Sequence, residues 1–216
     1  MRARTHDLCH AMSTAARVGR EYAAEAARYD RRWAKYLHGS MELLRPWLAD
    51  APLGTLLDVG CGTGVLLDAL RGWGMEPQRY AGADPSAEML RMAVSKGARG
   101  LAAAPAEALP FLDDAFDTIV SVSAFHYWPA PDQGLREVAR VLRPGGRVLL
   151  ADWARDFATM RAMDAYTRAT GHSFTRMYAE SEIRAMLARA GLRVVRSRRA
   201  RISTMWGLWV VEARKG

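Results

Sequence analysis

Cysteine is nearly absent: there are two in 216 residues, Cys9 and Cys61. That excludes a disulfide framework, and Cys61 lies among glycines where a bridge would be awkward. So few thiols suit a reducing compartment. No run approaches the roughly 20 apolar residues of a membrane span. The opening residues, Met1-Arg2-Ala3-Arg4-Thr5-His6-Asp7, lack the apolar segment of a signal peptide. A cytoplasmic protein is therefore expected. No cluster of histidine, cysteine and aspartate has metal-ligand spacing, so no metal is expected. Internal repeats and low-complexity segments are also lacking. What is present is a chain that is 50% hydrophobic, enough for one domain with a sizeable core.

The charge is uneven. The net charge is +8 and the pI about 10.0. Residues 1–40 hold eight Arg/Lys against four Asp/Glu, and residues 193–216 hold seven against one. The middle, 41–192, holds sixteen against eighteen. A near-neutral body with basic ends fits either a nucleic-acid enzyme or solvated arginine-rich faces.

Residues 15–37 carry a helical pattern with Tyr22, Tyr29, Trp33 and Tyr36 on one face. That face could lie over a ligand as a lid or pack on the domain. The helix is basic and amphipathic, which makes it a candidate for peripheral contact with a membrane surface. A second helix is expected over 40–49. Strand and helix then alternate: strand 55–59, helix 64–73, strand 79–83, a helix N-capped by Ser86, a short strand 100–103, strand 116–123, helix 133–142 and strand 147–151. Arg143-Pro144-Gly145-Gly146 should break the helix over 133–142 and turn into the fifth strand. This series predicts a parallel sheet with helices on both faces. Residues 154–178 interrupt it as an insertion. A helix over 181–190 leads to strands 192–202 and 204–213, whose short connection implies an antiparallel pair. Residues 1–50 are expected as an N-terminal helical lid or extension and 51–216 as the main domain.

The chemistry concentrates in Leu56-Leu57-Asp58-Val59-Gly60-Cys61-Gly62-Thr63-Gly64. A strand ends in glycines at every second position, and a helix follows at once. Such a turn lets a ligand lie against bare backbone at the carboxyl end of a strand. Asp84 ends the second strand, 24 residues after Gly60. A carboxylate there can accept both hydroxyls of a ribose. The dinucleotide pattern wants a third glycine where this chain has Val65. A pyrophosphate gains nothing from Asp58, whereas an amino group or sulfonium does. The residues therefore favour S-adenosylmethionine over NAD.

These stretches resemble class I S-adenosylmethionine-dependent methyltransferases, of the small-molecule group that includes the ubiquinone and menaquinone biosynthesis enzymes. LLDVGCGTG (56–64), AGADPSAEML (81–90), AEALPFLDDAFDTIVS (106–121) and EVARVLRPGGRVLLAD (137–152) carry the resemblance. It implies an α/β, Rossmann-like seven-stranded sheet flanked by helices, with strand 7 antiparallel between 5 and 6. It implies backbone contacts from Gly60, Cys61 and Gly62 to the methionine moiety, with Asp58 near its amino group. Asp84 would bind the ribose, and Pro85 or Met89 would pack by the adenine. Ala106 and Glu107 would edge the adenine, while Ser121 and Ser123 would line the methyl's path. Tyr29 of the lid is added to the cofactor site. The family's usual adenine-binding aspartate falls at Pro105, so Glu107 or backbone must serve instead.

Methyl transfer needs alignment first and a base only for some acceptors. His126, just past strand 4, is the candidate general base, or else a packed loop residue. Tyr127 and Asp152 stand behind it, and His172 could face substrate from the insertion. The Pro-Pro-aromatic motif of base-amine methyltransferases is missing after strand 4. The arginines 193, 196, 198, 199 and 201 fall on an expected edge strand, where they discourage aggregation. A small, partly apolar acceptor O, N or C atom is the expected target. A membrane-surface enzyme acting on a lipid headgroup or quinone is the alternative, and a nucleic-acid-binding protein with a relic cofactor fold is a more distant one.

Overall fold

The computed structural model describes residues 26–170 and 176–216. Expectations for residues 1–25, and for His172 and Phe174, lie outside it. Helix α1 (Ala26–Ala49) is followed by β1 (Thr55–Val59), α2 (Val65–Gly72), β2 (Arg79–Asp84), α3 (Ala87–Ser95), β3 (Leu101–Ala103) and β4 (Phe116–Val122). A 3-10 turn (Phe125–Tyr127), α4 (Pro131–Val141), β5 (Leu142–Trp153), α5 (Ala158–Thr170), α6 (Glu180–Arg189), β6 (Leu192–Arg201) and β7 (Gly207–Lys215) complete the chain. The strands form one seven-stranded sheet in the order β3-β2-β1-β4-β5-β7-β6. The first five are parallel, and β7 runs antiparallel to both β5 and β6. The strand order reverses between β1 and β2 on one side and β4 on the other. That places the β1 turn at the switch point, where ligands bind in such sheets.

Each face of the sheet has its own core. Leu57, Val59, Ile119, Val148, Leu150, Trp209 and Val211 meet α4 and α6 through Leu135, Val138, Ile183 and Leu187. Leu56, Val120, Leu149 and Val210 meet α1 and α2 on the other face, through Met41, Leu44, Leu48, Leu66 and Leu70. The strands alternate faces as the period of two requires, and both sides are apolar because both are covered.

Three local differences from the sequence reading have physical causes. The expected pair of helices before β1 is one helix through Gly39, Ser40 and Pro46. Gly39 does not break it but serves close packing: a Cβ there would lie 3.2 Å from the Cβ of Ile202. Ser40 Oγ donates to the carbonyl of Tyr36 at 2.7 Å, bonding back along the helix. Second, β5 begins at Leu142, not at residue 147. Phe116 pairs with Leu142 and Thr118 with Arg147, so Pro144-Gly145-Gly146 loop out of a continuing ladder. Third, two of the five arginines of β6, Arg196 and Arg199, are held in ion pairs. Arg196 reaches Asp50 at 2.5 Å and Glu212 at 2.7 Å and lies over the ring of Trp47, while Arg199 bridges to Asp156 and Glu180. Buried Arg147 donates to the carbonyls of Trp47, Leu48 and Ala51, closing the open end of α1.

Candidate active site

The glycine turn is built by the strands beneath it. The amides of Gly60 and Cys61 both donate to the carbonyl of Ala83, at 2.7 and 3.1 Å, docking the turn on the end of β2. Gly60 has φ +76, and a Cβ there would stand 2.3 Å from the Cβ of Ala124. Gly62 has φ +50 and open space where its side chain would be. The first glycine is therefore required by packing and the second leaves room for a ligand. Ser86 caps α3 by accepting from the amide of Met89, as the sequence suggested.

A cavity partly open to solvent lies over this turn. Asp58, Gly60, Cys61, Gly62, Asp84, Pro85, Met89, Ala106, Glu107, Ser123 and Tyr29 all line it, from five separate stretches of chain. Ser121 does not. It is buried in β4 with its Oγ unpartnered, while Val122, Ser123 and Ala124 turn onto the cavity floor. The reversal follows from Ser123, whose φ of +55 breaks the strand alternation.

Both acids are strained electrically. Asp58 is buried and accepts from the hydroxyl of Tyr80 at 3.0 Å. Burial pushes its carboxyl up to about 7, against the lowering effect of that hydrogen bond. Asp84 accepts from the amides of Gly62 and Ser86, at 2.9 and 2.8 Å, yet burial raises it to about 6. Glu107 is buried, accepts from the amide of Ala130 at 3.0 Å, and is also shifted upward by burial. Such poised carboxylates mark sites that await a partner.

His126 is not brought to the cavity. It is 2% exposed, its Nδ1 lies 2.6 Å from Asp152 Oδ1, and its amide donates to Asp152 Oδ2. Its ring stacks on Trp153 at 3.9 Å. The short turn after β4 carries Tyr127 to the cavity and folds His126 behind the wall. Asp152 is spent in the same contacts and on the amide of Trp153.

Helix α1 roofs the cavity with Tyr29, Leu37 and Met41. Two sets of bonds hold it there, neither legible in the sequence. Asp30 accepts from Thr63 Oγ1 at 2.6 Å and from Lys96 Nζ at 2.5 Å, latching α1 to the glycine turn and to the end of α3. Tyr36 and Ser123 share a hydrogen bond of 2.5 Å, and Trp153 Nε1 donates to the Tyr36 oxygen at 2.8 Å. Burial, helped by the Asp152 charge, pushes the Tyr36 phenol up, so it stays protonated.

The sheet order, the antiparallel seventh strand and a glycine turn flanked by two carboxylates are the arrangement expected of a class I methyltransferase domain. Residues 57–150 match the methyltransferase-domain family. The matching region is a class I S-adenosylmethionine-dependent methyltransferase domain resembling the ubiquinone/menaquinone group. One relative is the ubiquinone/menaquinone biosynthesis C-methyltransferase of Geotalea daltonii, 34% identical over 48% of this chain and 47% of its own. Another is the malonyl-[acyl-carrier protein] O-methyltransferase of Methylococcus capsulatus, 32% identical over 62% of this chain and 51% of its own. The chain thus spans about half the length of these curated relatives. Two solved structures share the fold. The complex of the Haloferax volcanii Trm112 methyltransferase activator with a methyltransferase is 23% identical, with a TM-score of 0.75 over 91% of this chain and 98% of that one. A possible histamine N-methyltransferase from Thermotoga maritima is 19% identical, with a TM-score of 0.75 over 90% and 98%.

The family and fold imply S-adenosyl-L-methionine as cofactor, and the residues present fit it. The bare backbone of Gly62 gives it room. Asp58 and Asp84 supply acceptors for an ammonium and for ribose hydroxyls, and Pro85 and Met89 offer an apolar bed. Pro105 lines the cavity without a polar side chain, and buried Glu107 beside it is engaged with Ala130.

Proposed function

We propose that this protein binds S-adenosylmethionine in the cavity over the glycine turn and transfers its methyl group to a small, partly apolar acceptor. The observation that carries this reading is that Asp58, Gly62 and Asp84 line one cavity, with both carboxylates raised by burial. The bound cofactor would supply a methyl group already electrophilic enough to need alignment more than activation. The chain's part is to hold and enclose. Asp84 is the ribose acceptor, Asp58 the counter-charge for the amino group, and Met89 and Pro85 the adenine bed.

The acceptor's surroundings are read from the rest of the lining. Leu37 and Met41 of α1, Val122 and Ala124 after β4, and the rings of Tyr29 and Tyr127 favour an apolar or planar molecule. The named relatives act on carbon in one case and oxygen in another. No base role is assigned to His126, which acts instead as a prop for Trp153 and the turn. The pairing of Arg196 and Arg199 with acids supports a structural reading for those two arginines of the edge strand.

Two measurements test this. Asp84→Ala is expected to weaken S-adenosylhomocysteine binding at least about tenfold in isothermal titration, the loss of charge-assisted hydrogen bonds of about 1.5–3 kcal/mol. Undiminished affinity would remove the cofactor assignment. The α1 latch makes a separate statement about enclosure: Asp30 touches Thr63 and Lys96 but does not line the cavity. Asp30→Ala is expected to speed S-adenosylhomocysteine dissociation about tenfold, one charged hydrogen bond's worth, with a smaller change in the association rate. Stopped-flow displacement reads it, and an unchanged off-rate means that α1 is no lid.

A further inference from the structure

Helix α1 spends its apolar face on the protein. Tyr36, Leu37, Met41, Leu44 and Leu48 are buried beneath it. An amphipathic helix lying in a membrane needs that face free, so α1 cannot insert in that way. Its outer face is different. Arg28, Arg31 and Lys35 are exposed at spacings of three and four, and none has an acidic partner among the described residues. Of the acids on α1, Asp30 is engaged with Thr63 and Lys96 and Glu42 with Arg45. The result is a stripe of cations about 10 Å long with no acidic partner among the described residues.

Beside the stripe stands the turn between β6 and β7. Trp206 packs edge-on against Trp33 and Tyr36 of α1, and Ile202 abuts Gly39, so turn and helix present one face. The tip is built, not slack. Ser203 Oγ accepts from the amides of Met205 and Trp206, Arg201 donates to the carbonyl of Thr204, and Thr159 of α5 donates to the carbonyl of Met205. This holds Met205 outward at 50% exposure, while Tyr166 on α5 is 62% exposed across the same shallow groove. Ile202 to Trp206 contain no charge.

We propose that this face docks on an anionic lipid bilayer, with Arg28, Arg31 and Lys35 against the headgroups and Met205 and Tyr166 entering the interfacial layer. The two parts are complementary: the cations draw the face to a negative surface and the tip gives it something to insert. The large ordered interface of a protein partner needs about 20–30 residues a side, and the exposed large apolar groups here are few. Nucleic acid would want rings to stack on between the cations, whereas Trp33 and Tyr36 turn inward. Docking would bring the roof of the cavity to the membrane surface. The docking stands independently of the methyl-transfer reading and is measured without cofactor.

Sedimentation with vesicles tests it. The protein should pellet with phosphatidylcholine vesicles that contain phosphatidylglycerol and not with phosphatidylcholine alone, less so as salt rises. Arg28→Glu/Arg31→Glu/Lys35→Glu should abolish pelleting. The milder Arg31→Gln/Lys35→Gln pair should weaken it about fivefold per charge removed. Met205→Ser/Tyr166→Ser should weaken it severalfold. Unchanged far-ultraviolet circular dichroism of each variant shows that the fold is intact. Equal binding to neutral vesicles, or undiminished binding of the charge variants, overturns the proposal. Full binding by the Met205/Tyr166 variant means bare adsorption and overturns it too. Soluble polyglutamate or an oligonucleotide that strips the protein from vesicles at equal charge would assign the face to an acidic protein or a nucleic acid.

Discussion

Asp58→Asn is expected to raise the melting temperature of the ligand-free protein at pH 8 while weakening S-adenosylhomocysteine binding about ten- to a hundredfold. Both effects come from one buried carboxyl. In the folded, ligand-free chain Asp58 titrates near 7, against an ordinary value of 3.8, because burial penalises its charge. A raised carboxyl favours the folded state only while protonated in it. Its penalty is therefore absent below about pH 4, grows as the pH rises through the interval, and is complete above about 7. Asparagine keeps the shape and can still accept from the Tyr80 hydroxyl, but never ionises. Removing the penalty is worth about 2 kcal/mol at pH 8, or about 4–8 °C for a chain of this size. At pH 5 about a third of the difference should remain, and below about pH 4 the two proteins should differ little.

Binding runs the opposite way. The cofactor's ammonium wants the charge that folding resists. In the wild-type protein a proton must leave Asp58 on binding, so affinity should fall about tenfold between pH 8 and pH 6 as the ionised fraction shrinks. Asp84, raised to about 6, adds a second, lower step. Asp58→Asn should flatten the first step and leave the second. Scanning calorimetry and titration at pH 5, 6 and 8 read all of this. A variant that melts lower at pH 8 would show that Asp58 serves the fold instead of the ligand.

Local chemistry made much of the site legible. The glycine turn, the Ser86 cap and Asp84 at a strand end each declare themselves within a few residues. The terminal antiparallel pair was legible because so short a connection admits no crossover. What escaped depends on residues far apart. Asp30 is 33 residues from Thr63 and 66 from Lys96, and no periodicity links them. Tyr36 lies 87 residues from Ser123, so an aromatic stripe could be seen but not the one hydroxyl that meets the cavity wall. His126 shows the other limit. Its position after β4 was legible, but the direction of its ring was set by Asp152, 26 residues on. Ser121 failed for a related reason: only the left-handed backbone at Ser123 decides which serine turns to the ligand.

Gly60→Ala and Gly62→Ala, two residues apart in one turn, are expected to fail in different ways. Both sites have left-handed backbone, so each alanine costs about 1–2 kcal/mol in conformation alone. At Gly62 nothing lies within 4 Å of the new methyl. That variant should fold, keep the amide bond to Asp84, and lose cofactor affinity because the methyl enters the cavity. At Gly60 the methyl would stand 2.3 Å from the Cβ of Ala124, with no flexible chain end to give way. The turn is pinned there by two amides on the Ala83 carbonyl, and Ala124 is fixed by the short turn it begins. Overpacking adds about 1–3 kcal/mol, a large share of the stability of about 5–15 kcal/mol that a domain has. Gly60→Ala should therefore lower the denaturant midpoint sharply. Ala124→Gly removes the opposing methyl and should restore the steric part of the loss but not the backbone part. The double-mutant cycle between residues 60 and 124 should return a favourable coupling of about 1–3 kcal/mol. The same cycle between 62 and 124 should return none. A zero coupling at 60 would mean that the turn and the β4 end are not in contact, and the cavity floor drawn here would have to be redrawn.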